Sequence, residues 1–595
     1  MKYPSFLGHI HKSNKIKNIA VPDRLSYPLK FKLFMMKQGI ITIMVLTLLV
    51  AAGCKTAEKA DLVITGGKVF TADSLNPYAE AIAVRSNKII AVGSVRKISR
   101  HIDPAATKVI NASGKTVIPG FNDAHAHFGP VDPDYIELRY VTDPAVITEK
   151  VREQVARSKK GQLIYGGHWE HEMFTTRQWP VKELIDVVSP DNPVVLRRTD
   201  GHSVLVNSYV LRNSGITRST PDPFGGEIMH DPVTGEPTGI LKESAMELIK
   251  TGAVKIDMSP EERMEKKWLG YITALRQAAE YGITSIQIPG SADFGMYDSI
   301  MAEGMLTSRI DIGGELTADP EKLDMYEQLR QKYPSSGDWI RFGYLKDFMD
   351  GTLGSATAMM FEPFNDEPDK TGLPQMSYEE LEKRVLAGDS RGFQIGIHAI
   401  GPKANNWILN SYEKAREVNG VRDSRHRSEH AQILIEEDIP RFAALGVIAS
   451  MQPTHCITDK RFAEKRIGTE RSRWAYAWKS LADSGAKLAF GTDYSVEPLN
   501  PMEGLYAAVT RKDRKGEKGD GWFPMEKITM EKAIEYYTLG AAYSQFMDDR
   551  KGMLREGYLA DITILSGDIF NIAEEMIMSV KADYTIANGK IVYER

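Results

Sequence analysis

Between Ser259 and Asp493 the chain alternates helical and strand-like segments. One helix start is marked by Ser259-Pro260-Glu261-Glu262, which combines an N-cap, a proline at the first helical position and a capping-box glutamate. Short apolar runs such as "ITSIQIP", "FQIGIHAIG", "GVIASMQP" and "KLAFGTD" lie between such helices. Strands that alternate with helices form a parallel sheet, and enough of these units close into a (β/α)8 barrel. We therefore predict an α/β chain with a TIM-like (β/α)8 barrel over residues 119–551.

The two ends of the chain have a different character. Residues 60–118 contain short β-rich runs broken by Gly-Gly, Ser-Asn and Ser-Gly turns, and residues 552–595 contain similar runs. The last two runs are joined by Asn588-Gly589, a strong signal for a two-residue hairpin. We predict that both ends together form one composite β-sandwich domain.

Two histidines follow a strand-like segment in "VIPGFNDAHAHFGP". Alternate side chains of a strand share one face, so His125 and His127 would point the same way and could hold one ion. A lone H-x-H pair is more often structural than metal-binding. The interpretation therefore depends on further ligands elsewhere in the chain.

Four further residues that can bind a metal close strand-like runs: Lys346 in "YLKDF", His398 in "GIHAIG", His430 in "SEHAQ" and Asp493 in "FGTDYS". The strand ends of a (β/α)8 barrel open on one mouth, so these residues would converge there. The intervals after Lys346 fit one or two units of roughly 30 residues each. The interval from His127 to Lys346 is too long for three units. We infer an inserted subdomain of about 100 residues in the first half of the barrel, roughly within 130–258.

With these residues in place, the chain resembles the amidohydrolase superfamily, and more closely the amidohydrolase family 3 branch that includes N-substituted formamide deformylase. The resemblance covers about residues 60–595. Its motifs are "PGFNDAHAHF", "TDGHSVLVNS", "LKDFMDGTLGS", "IHAIG", "EHAQ" and "GTDYSVEPLNPMEGLYAAVTR". It implies a metal-dependent hydrolase barrel with a composite β-sandwich.

The resemblance also implies a ligand set. Neutral imidazoles and a carboxylate suit zinc or a similar divalent ion, as one or two ions. The implied ligands are His125, His127, Lys346, His398, His430 and Asp493. An ammonium beside cations would be repelled, but reaction with CO₂ would turn Lys346 into an anionic carbamate, as in binuclear relatives. Asp493 is expected to take a proton from the metal-activated water and pass it to the leaving nitrogen.

Other candidates carry a functional and a structural interpretation. His202 in "DGHS" matches a family position that faces substrate, which makes it a catalytic candidate; the alternative is a locally satisfied loop histidine. Trp169 matches the tryptophan that lines the pocket in the family; the alternative is that it packs in a hydrophobic core. His168 and His171 are expected to be polar residues of the insertion rather than ligands. Asp350 and Ser355 are expected either to orient the strand that carries Lys346 or to form the turn that follows this strand.

The chain departs from the family pattern near the expected barrel mouth. Pro402 and Lys403 replace a usual Asp-Arg pair, and Ala356 replaces a common arginine. These departures bear on the substrate rather than on the metal chemistry.

The N-terminus predicts export. The segment "MMKQGIITIMVLTLLVAAGC" has one lysine, an apolar core too short to span a bilayer, and small residues before Cys54. It resembles a bacterial lipoprotein signal over residues 35–53, with a lipid on Cys54; an uncleaved signal anchor is the alternative. Residues 1–34 indicate a mis-assigned start codon. After Cys54 only Cys456 remains, so we expect no intramolecular disulfide in the mature chain, although export would permit one.

The charge and composition narrow the partners. A net charge of -4 gives no basic footprint for nucleic acid, and contact with a membrane is expected only through the lipid anchor. We expect a small-molecule amide or N-substituted formamide as substrate. The alternatives are a superfamily deaminase that attacks an amidine-like carbon, against which Lys346 argues, and a non-catalytic exported binding protein. The sequence leaves open whether the chain forms a homo-oligomer.

Overall fold

A computed structural model of the protein describes residues 57–254 and 258–595. The predicted start error, the signal segment and Cys54 lie outside these residues. Residues Lys59–Arg595 form one compact unit. Within the described ranges, no helix is long and apolar enough to cross a membrane.

The strands of the described chain are numbered in chain order. They are β1 Leu62–Phe70, β2 Tyr78–Arg85, β3 Lys88–Gly93, β4 Lys108–Asn111, β5 Thr116–Pro119, β6 Phe121–Asp123, β7 Ile136–Glu137, β8 Ile164–Trp169, β9 Val194–Arg198, β10 Ser203–Val206, β11 Gly226–His230, β12 Pro237–Glu243, β13 Ile283–Ile288, β14 Arg309–Glu315, β15 Ile340–Phe348, β16 Ile395–Ala399, β17 Arg427–His430, β18 Ile448–Met451, β19 Lys487–Phe490, β20 Ile562–Leu565, β21 Ala582–Ala587 and β22 Lys590–Glu594.

The α-helices are numbered in the same way. They are α1 Val95–Ile98, α2 Ala145–Arg157, α3 Glu183–Asp186, α4 Ser208–Ser214, α5 Pro260–Glu280, α6 Phe294–Ala302, α7 Pro320–Lys332, α8 Tyr378–Ser390, α9 Pro402–Asn419, α10 Ile439–Leu445, α11 Pro453–Ser472, α12 Trp478–Asp483, α13 Pro501–Thr510, α14 Met530–Glu535 and α15 Ala541–Ser544.

Eight parallel strands form the central barrel, in the order β6, β13, β14, β15, β16, β17, β18, β19. Beyond the ends of β19 and β6, backbone bonds close the ring: Ala124 donates to Phe490 at 3.1 Å and Asp493 to His125 at 2.7 Å. The helices that connect the strands bury apolar faces against the sheet. The predicted (β/α)8 fold is confirmed.

Helix α5 shows how the sequence sets this pattern. The Ser259 hydroxyl accepts the Glu262 N–H at 3.1 Å, and the Glu262 carboxylate accepts the Ser259 N–H at 2.7 Å, as a capping box requires. Apolar residues of the helix, including Tyr271 and Leu275, are buried. Gly282 follows the helix with φ of 78°, a left-handed conformation that glycine adopts without strain.

Strands from both ends of the chain share a second sheet, in the order β22, β21, β20, β5, β1, β2, β3, with β4 on β1. Ile562, Ile564 and Ile586 from the C-terminal strands are buried in one core with Leu62 and Val69 from β1. The Asn588-Gly589 turn joins β21 to β22, and both turn residues have positive φ. The predicted union of the two ends in one β-structure is therefore present.

The third sheet is inserted between β6 and β13. Its order is β11, β12, β10, β9, β8, β7, with parallel pairing at β7–β9 and antiparallel pairing in the rest. Residues of the insertion contact the loop that follows β15: Thr352 donates to Asp200 at 2.6 Å and Thr357 to Glu243 at 2.7 Å. The insertion therefore lies over the mouth formed by the carboxyl ends of the barrel strands.

Candidate metal centre

The histidine pair follows the first barrel strand instead of lying within it. Strand β6 ends at Asp123, whose carboxylate accepts the N–H groups of His125 at 3.2 Å and Thr492 at 2.9 Å. His125 is completely buried, whereas the side chain of His127 is 40% exposed. The predicted strand geometry is wrong in this detail, because a turn anchored on Asp123 sets both orientations. The two rings still lie together at the mouth, with centroids 5.3 Å apart.

A set of buried donor atoms without partners marks the centre. One ligand atom each from His125, His430 and Asp493 lies within 4.8 Å of the other two. His125 Nε2, His430 Nδ1 and Asp493 Oδ1 are buried and have no hydrogen-bond partner among the described residues. Buried polar atoms are normally satisfied, so this set of nitrogen and oxygen donors fits a divalent cation. His127 Nε2, 3.4 Å from Asp493 Oδ1, extends the set.

The electrostatics suit metal binding. Burial lowers the pKa of His125 and holds the pKa of His398 and His430 well below the usual range, so these imidazoles are neutral. Burial alone would raise the pKa of Asp493, but the adjacent imidazole of His127, the hydrogen bond from His455 and the other nearby imidazoles hold it well below its usual value. The centre therefore offers neutral nitrogens and an ionised carboxylate.

Lys346 and His398 lie on the adjoining strands β15 and β16. The Lys346 Nζ is buried without a hydrogen-bond partner in the described chain, 3.4 Å from the centroid of the Phe348 ring. Burial lowers the pKa of Lys346 to about 8. His398 Nε2 donates to the Gly351 carbonyl at 3.1 Å, and the His398 ring centroid lies 4.5 Å from that of His430. The structure thus brings all six predicted ligands to one end of the barrel.

Glu429 is a site residue that the sequence interpretation missed. Its Oε2 lies 2.6 Å from His125 Nδ1, and its Oε1 lies 2.6 Å from Arg427 Nε. Arg427 and Glu429 are completely buried. The sequence feature that could have identified Glu429 is its spacing of two residues from Arg427 in β17. Two charged residues on the same face of a buried barrel strand must pair inside the barrel.

His455 was also missed. It lies in the first turn of α11, directly after β18, and its Nε2 is 3.0 Å from Asp493 Oδ2. Its Nδ1 is 3.7 Å from Glu497 Oε1. Burial would lower the pKa of His455, but the hydrogen bond to Asp493 and the nearby carboxylates raise it to about 9. The sequence feature that could have identified His455 is its position directly after a strand, which it shares with the predicted ligands.

His202 reaches the mouth from the inserted sheet. Its ring centroid lies 4.9 Å from that of His398, and its Nδ1 is 2.8 Å from Glu243 Oε2. Burial would lower the pKa of His202, but the Glu243 carboxylate raises it to about 9. Glu243 has φ of 50° and ψ of -130°, a strained backbone of the kind that clusters at functional sites.

The other candidates lie in supporting positions. Trp169 is completely buried in the core of the insertion and donates to the Leu196 carbonyl at 2.9 Å, so it is not a pocket residue. His171 stacks on Trp179 with centroids 4.1 Å apart.

His168 contacts Glu137 at 2.9 Å, within the insertion. Asp350 accepts the N–H groups of Met359, Ile400 and Gly401, and so ties the loop after β15 to the end of β16. Ser355 donates to Asp200 at 2.7 Å and so connects the loop after β15 to the insertion.

The three residues that depart from the family pattern have the following positions in the structure. Pro402 occupies the first turn of α9, and the Lys403 Nζ lies 5.4 Å from the Trp407 ring centroid. Ala356 is buried, with φ of 57°.

Two cavities adjoin the centre. An inner cavity of about 60 Å³ is lined by residues that include His127, His202, His398 and Asp493. An outer cavity of about 760 Å³ shares His127, His202 and Phe348 with it. The inner space holds only a few atoms, whereas the outer space accommodates a sizeable group.

Residues 108–593 match the sequence model of the amidohydrolase family. The chain belongs to this family. Among its relatives, "Protein LONG AFTER FAR-RED 3" of Arabidopsis thaliana is 36% identical over 90% of this chain and 92% of its own length. N-substituted formamide deformylase of Arthrobacter pascens is 26% identical over 90% of this chain and 99% of its own length.

The fold of this amidohydrolase also has solved counterparts. The crystal structure of an uncharacterized metal-dependent hydrolase from Pyrococcus furiosus superposes with a TM-score of 0.64 at 25% identity, over 86% of this chain and all of that one. The family and the donor set at the mouth identify this amidohydrolase as a metal-dependent hydrolase.

Proposed function

We propose that this amidohydrolase cleaves a non-peptide C–N bond, in an amide or an N-substituted formamide. The observation that carries the proposal is the set of buried, unpartnered donors of His125, His430 and Asp493 beside a small cavity. The similarity to N-substituted formamide deformylase supports a formamide as one substrate class.

Each residue of the proposed catalytic centre has a separate role. A divalent ion bound by these donors would acidify a water molecule toward a pKa of ~7 and polarise the substrate carbonyl. The Asp493 carboxylate accepts a proton from the attacking water and returns it to the leaving nitrogen. His455 holds the second oxygen of Asp493, which orients the carboxylate. His202, kept protonated by Glu243, donates a hydrogen bond from Nε2 to the carbonyl oxygen.

Zinc is the ion we propose, because nitrogen donors with one carboxylate suit it. If its amine reacted with CO₂, Lys346 would become an anionic carbamate and would help to hold a second ion. Burial supports this, since the lowered pKa leaves a sizeable fraction of the neutral amine that reacts with CO₂. Elemental analysis and intact-protein mass spectrometry at controlled CO₂ will count the ions and the carbamate; two ions without a carbamate would contradict this role of Lys346.

The test of function is a substrate panel. Zinc-loaded protein is assayed with N-formyl, N-acetyl and cyclic amides by release of amine, and the chelator-treated protein serves as control. We expect turnover of at least one formamide or simple amide and none after metal removal. Ammonia release from amidines alone would identify a deaminase instead, and metal binding without any turnover would identify a binding protein.

We also propose that the protein is exported and anchored by lipid at Cys54, with no nucleic-acid partner. The support is the short apolar run that ends in "AAGC". Mass spectrometry of the mature protein should find a lipidated N-terminal Cys54. An unmodified Cys54, or retention of residues 36–53, would overturn the anchor.

A further inference from the structure

A third cavity, of about 450 Å³, lies beside the inner cavity and shares Glu170, Thr199, Thr458 and Glu497 with it. We call it the side cavity. Its remaining lining comes from the insertion, from α11 and from the loop after α13. The proposed hydrolysis assigns it no role.

Two carboxylates that line the side cavity are already neutralised. Glu170 Oε1 lies 2.5 Å from Arg198 Nη2, and both side chains are buried. Glu497 Oε2 lies 2.7 Å from Arg514 Nη2. These acidic groups are therefore committed to partners within the protein.

Three cations of the side cavity have no such partner. Arg139 and Arg461 donate to backbone carbonyl groups, and neither they nor Lys515 forms an ion pair with a carboxylate of the described chain. Asp513, the third carboxylate of the lining, accepts the backbone N–H of Lys515 at 2.9 Å and offsets one of the three positive charges. The uncompensated charge of the side cavity is therefore positive, which favours an anionic group.

The outer cavity differs in charge. Among the described residues, its lining includes four carboxylates, Asp200, Glu243, Glu247 and Asp347, against two cations, Arg197 and the protonated His202. An anionic group is therefore disfavoured there and favoured in the side cavity. A substrate with one anionic end would be oriented across the centre by this asymmetry.

The backbone around the side cavity is strained at two lining residues. His168 has φ of 67° at a bulge in β8, where the register shifts between Gly167 and Trp169. Tyr140 has φ of 66°. Non-glycine residues adopt this conformation at a cost, and such strain and bulges cluster beside functional sites.

We propose that the side cavity binds a carboxylate carried by the substrate, so that the preferred substrate is an N-acylated or N-formylated amine with a carboxylate group. This inference rests on the proposed amide hydrolysis. Water adds to the amide carbon, the C–N bond breaks, and its electron pair with a proton goes to the amine nitrogen. The bound carboxylate is unchanged and serves recognition alone.

The test compares formanilide with 4-formamidobenzoate, which differ by one carboxylate. We expect kcat/KM to be at least tenfold higher for 4-formamidobenzoate, mainly through a lower KM, and the preference to shrink as salt is raised, because salt screens charges. Equal values for the two compounds would overturn the proposal.

A double variant tests whether the side cavity causes the preference for the carboxylate-bearing substrate. In Arg461→Gln with Lys515→Gln, the ratio of the two kcat/KM values should fall to about one. Lys518→Gln is the matched control, because Lys518 is an exposed cation of the same loop that does not line the side cavity. An unchanged ratio in the double variant would contradict the assignment.

A binding measurement separates this inference from the proposed function. Calorimetry with the product-like probes 4-aminobenzoate and aniline needs no turnover. We expect 4-aminobenzoate to bind at least tenfold more tightly than aniline to the wild-type chain, and the double variant to lose that difference. If neither formamide is hydrolysed, formamide cleavage fails, while the calorimetry still decides whether the carboxylate subsite exists.

Discussion

His125 Nδ1 lies 2.6 Å from Glu429 Oε2, and both side chains are completely buried. The contact makes Nδ1 the protonated ring atom and leaves the Nε2 lone pair for an ion. Glu429 is itself fixed by Arg427 and by the Ser450 hydroxyl, which donates at 2.7 Å. Ligating histidines commonly depend on such a carboxylate for tautomer and orientation.

Replacing Glu429 by glutamine should therefore weaken metal binding by about 10- to 100-fold. It should also destabilise the fold by about 3–5 kcal/mol, because Arg427 would be left as an unpaired buried charge. Competition with a chromophoric chelator measures the affinity, and urea denaturation measures the stability.

The double variant Glu429→Gln with Arg427→Met separates the two effects. It removes the unpaired charge, so much of the stability should return while the metal affinity stays low. A double variant that regains both would show that Glu429 acts on the fold and not on His125.

Asp493→Asn tests proton transfer. The amide keeps the shape and one neutral oxygen of the carboxylate but cannot accept a proton, so we expect most of the metal to remain while kcat falls by at least about 100-fold. Metal content and amide turnover are measured on the same samples. Near-normal turnover would remove the proton-transfer role of Asp493.

The barrel could be predicted because each βα unit carries its own local signals. The capping box at Ser259 and the apolar strands are readable without knowledge of the remaining chain. The ligands could be predicted because strand ends of a barrel converge, so positions such as His398 and His430 imply a common mouth. The resemblance to known family motifs then implied that these residues together form one ligand set.

The supporting contacts could not be predicted as pairs. Glu243 meets His202 only because β12 and β10 are neighbours in the inserted sheet, and the sequence gives no register for that pairing. The orientation of His125 depends on Asp123, which bonds to the distant residue Thr492. Such contacts depend on tertiary geometry, which local periodicity does not encode.

His455→Gln tests whether this residue positions Asp493. Glutamine can still donate to Asp493 Oδ2, whereas His455→Ala cannot, so kcat should fall more in the alanine variant, by about tenfold or more, with metal retained in both. Steady-state kinetics with elemental analysis provide the measurement. Equal, near-normal kcat in both variants would show that the contact has no catalytic consequence.

The composite sheet predicts a stability difference between two of its residues. Ile564 is completely buried against strands from the other end of the chain, and Val109 is 46% exposed. Ile564→Ala should cost about 2–5 kcal/mol, whereas Val109→Ala should cost well under 1 kcal/mol. Urea denaturation of both variants measures the difference; equal costs would mean that the C-terminal strands contribute little to this core.

Alanine replacements of His125 and His127 decide whether the pair binds metal jointly. Both imidazoles approach Asp493 Oδ1, with Nε2 atoms 3.4 Å away, so removal of either ring should abolish stable metal binding and turnover together. Only His125→Ala should also destabilise the fold, because it leaves Glu429 without its histidine partner, whereas His127 is partly exposed. Elemental analysis, turnover and denaturation are compared with His230→Gln, a histidine replacement in β11 of the inserted sheet. Near-normal metal in both alanine variants would make the pair structural, and loss in His125→Ala alone would leave His127 outside the ligand set.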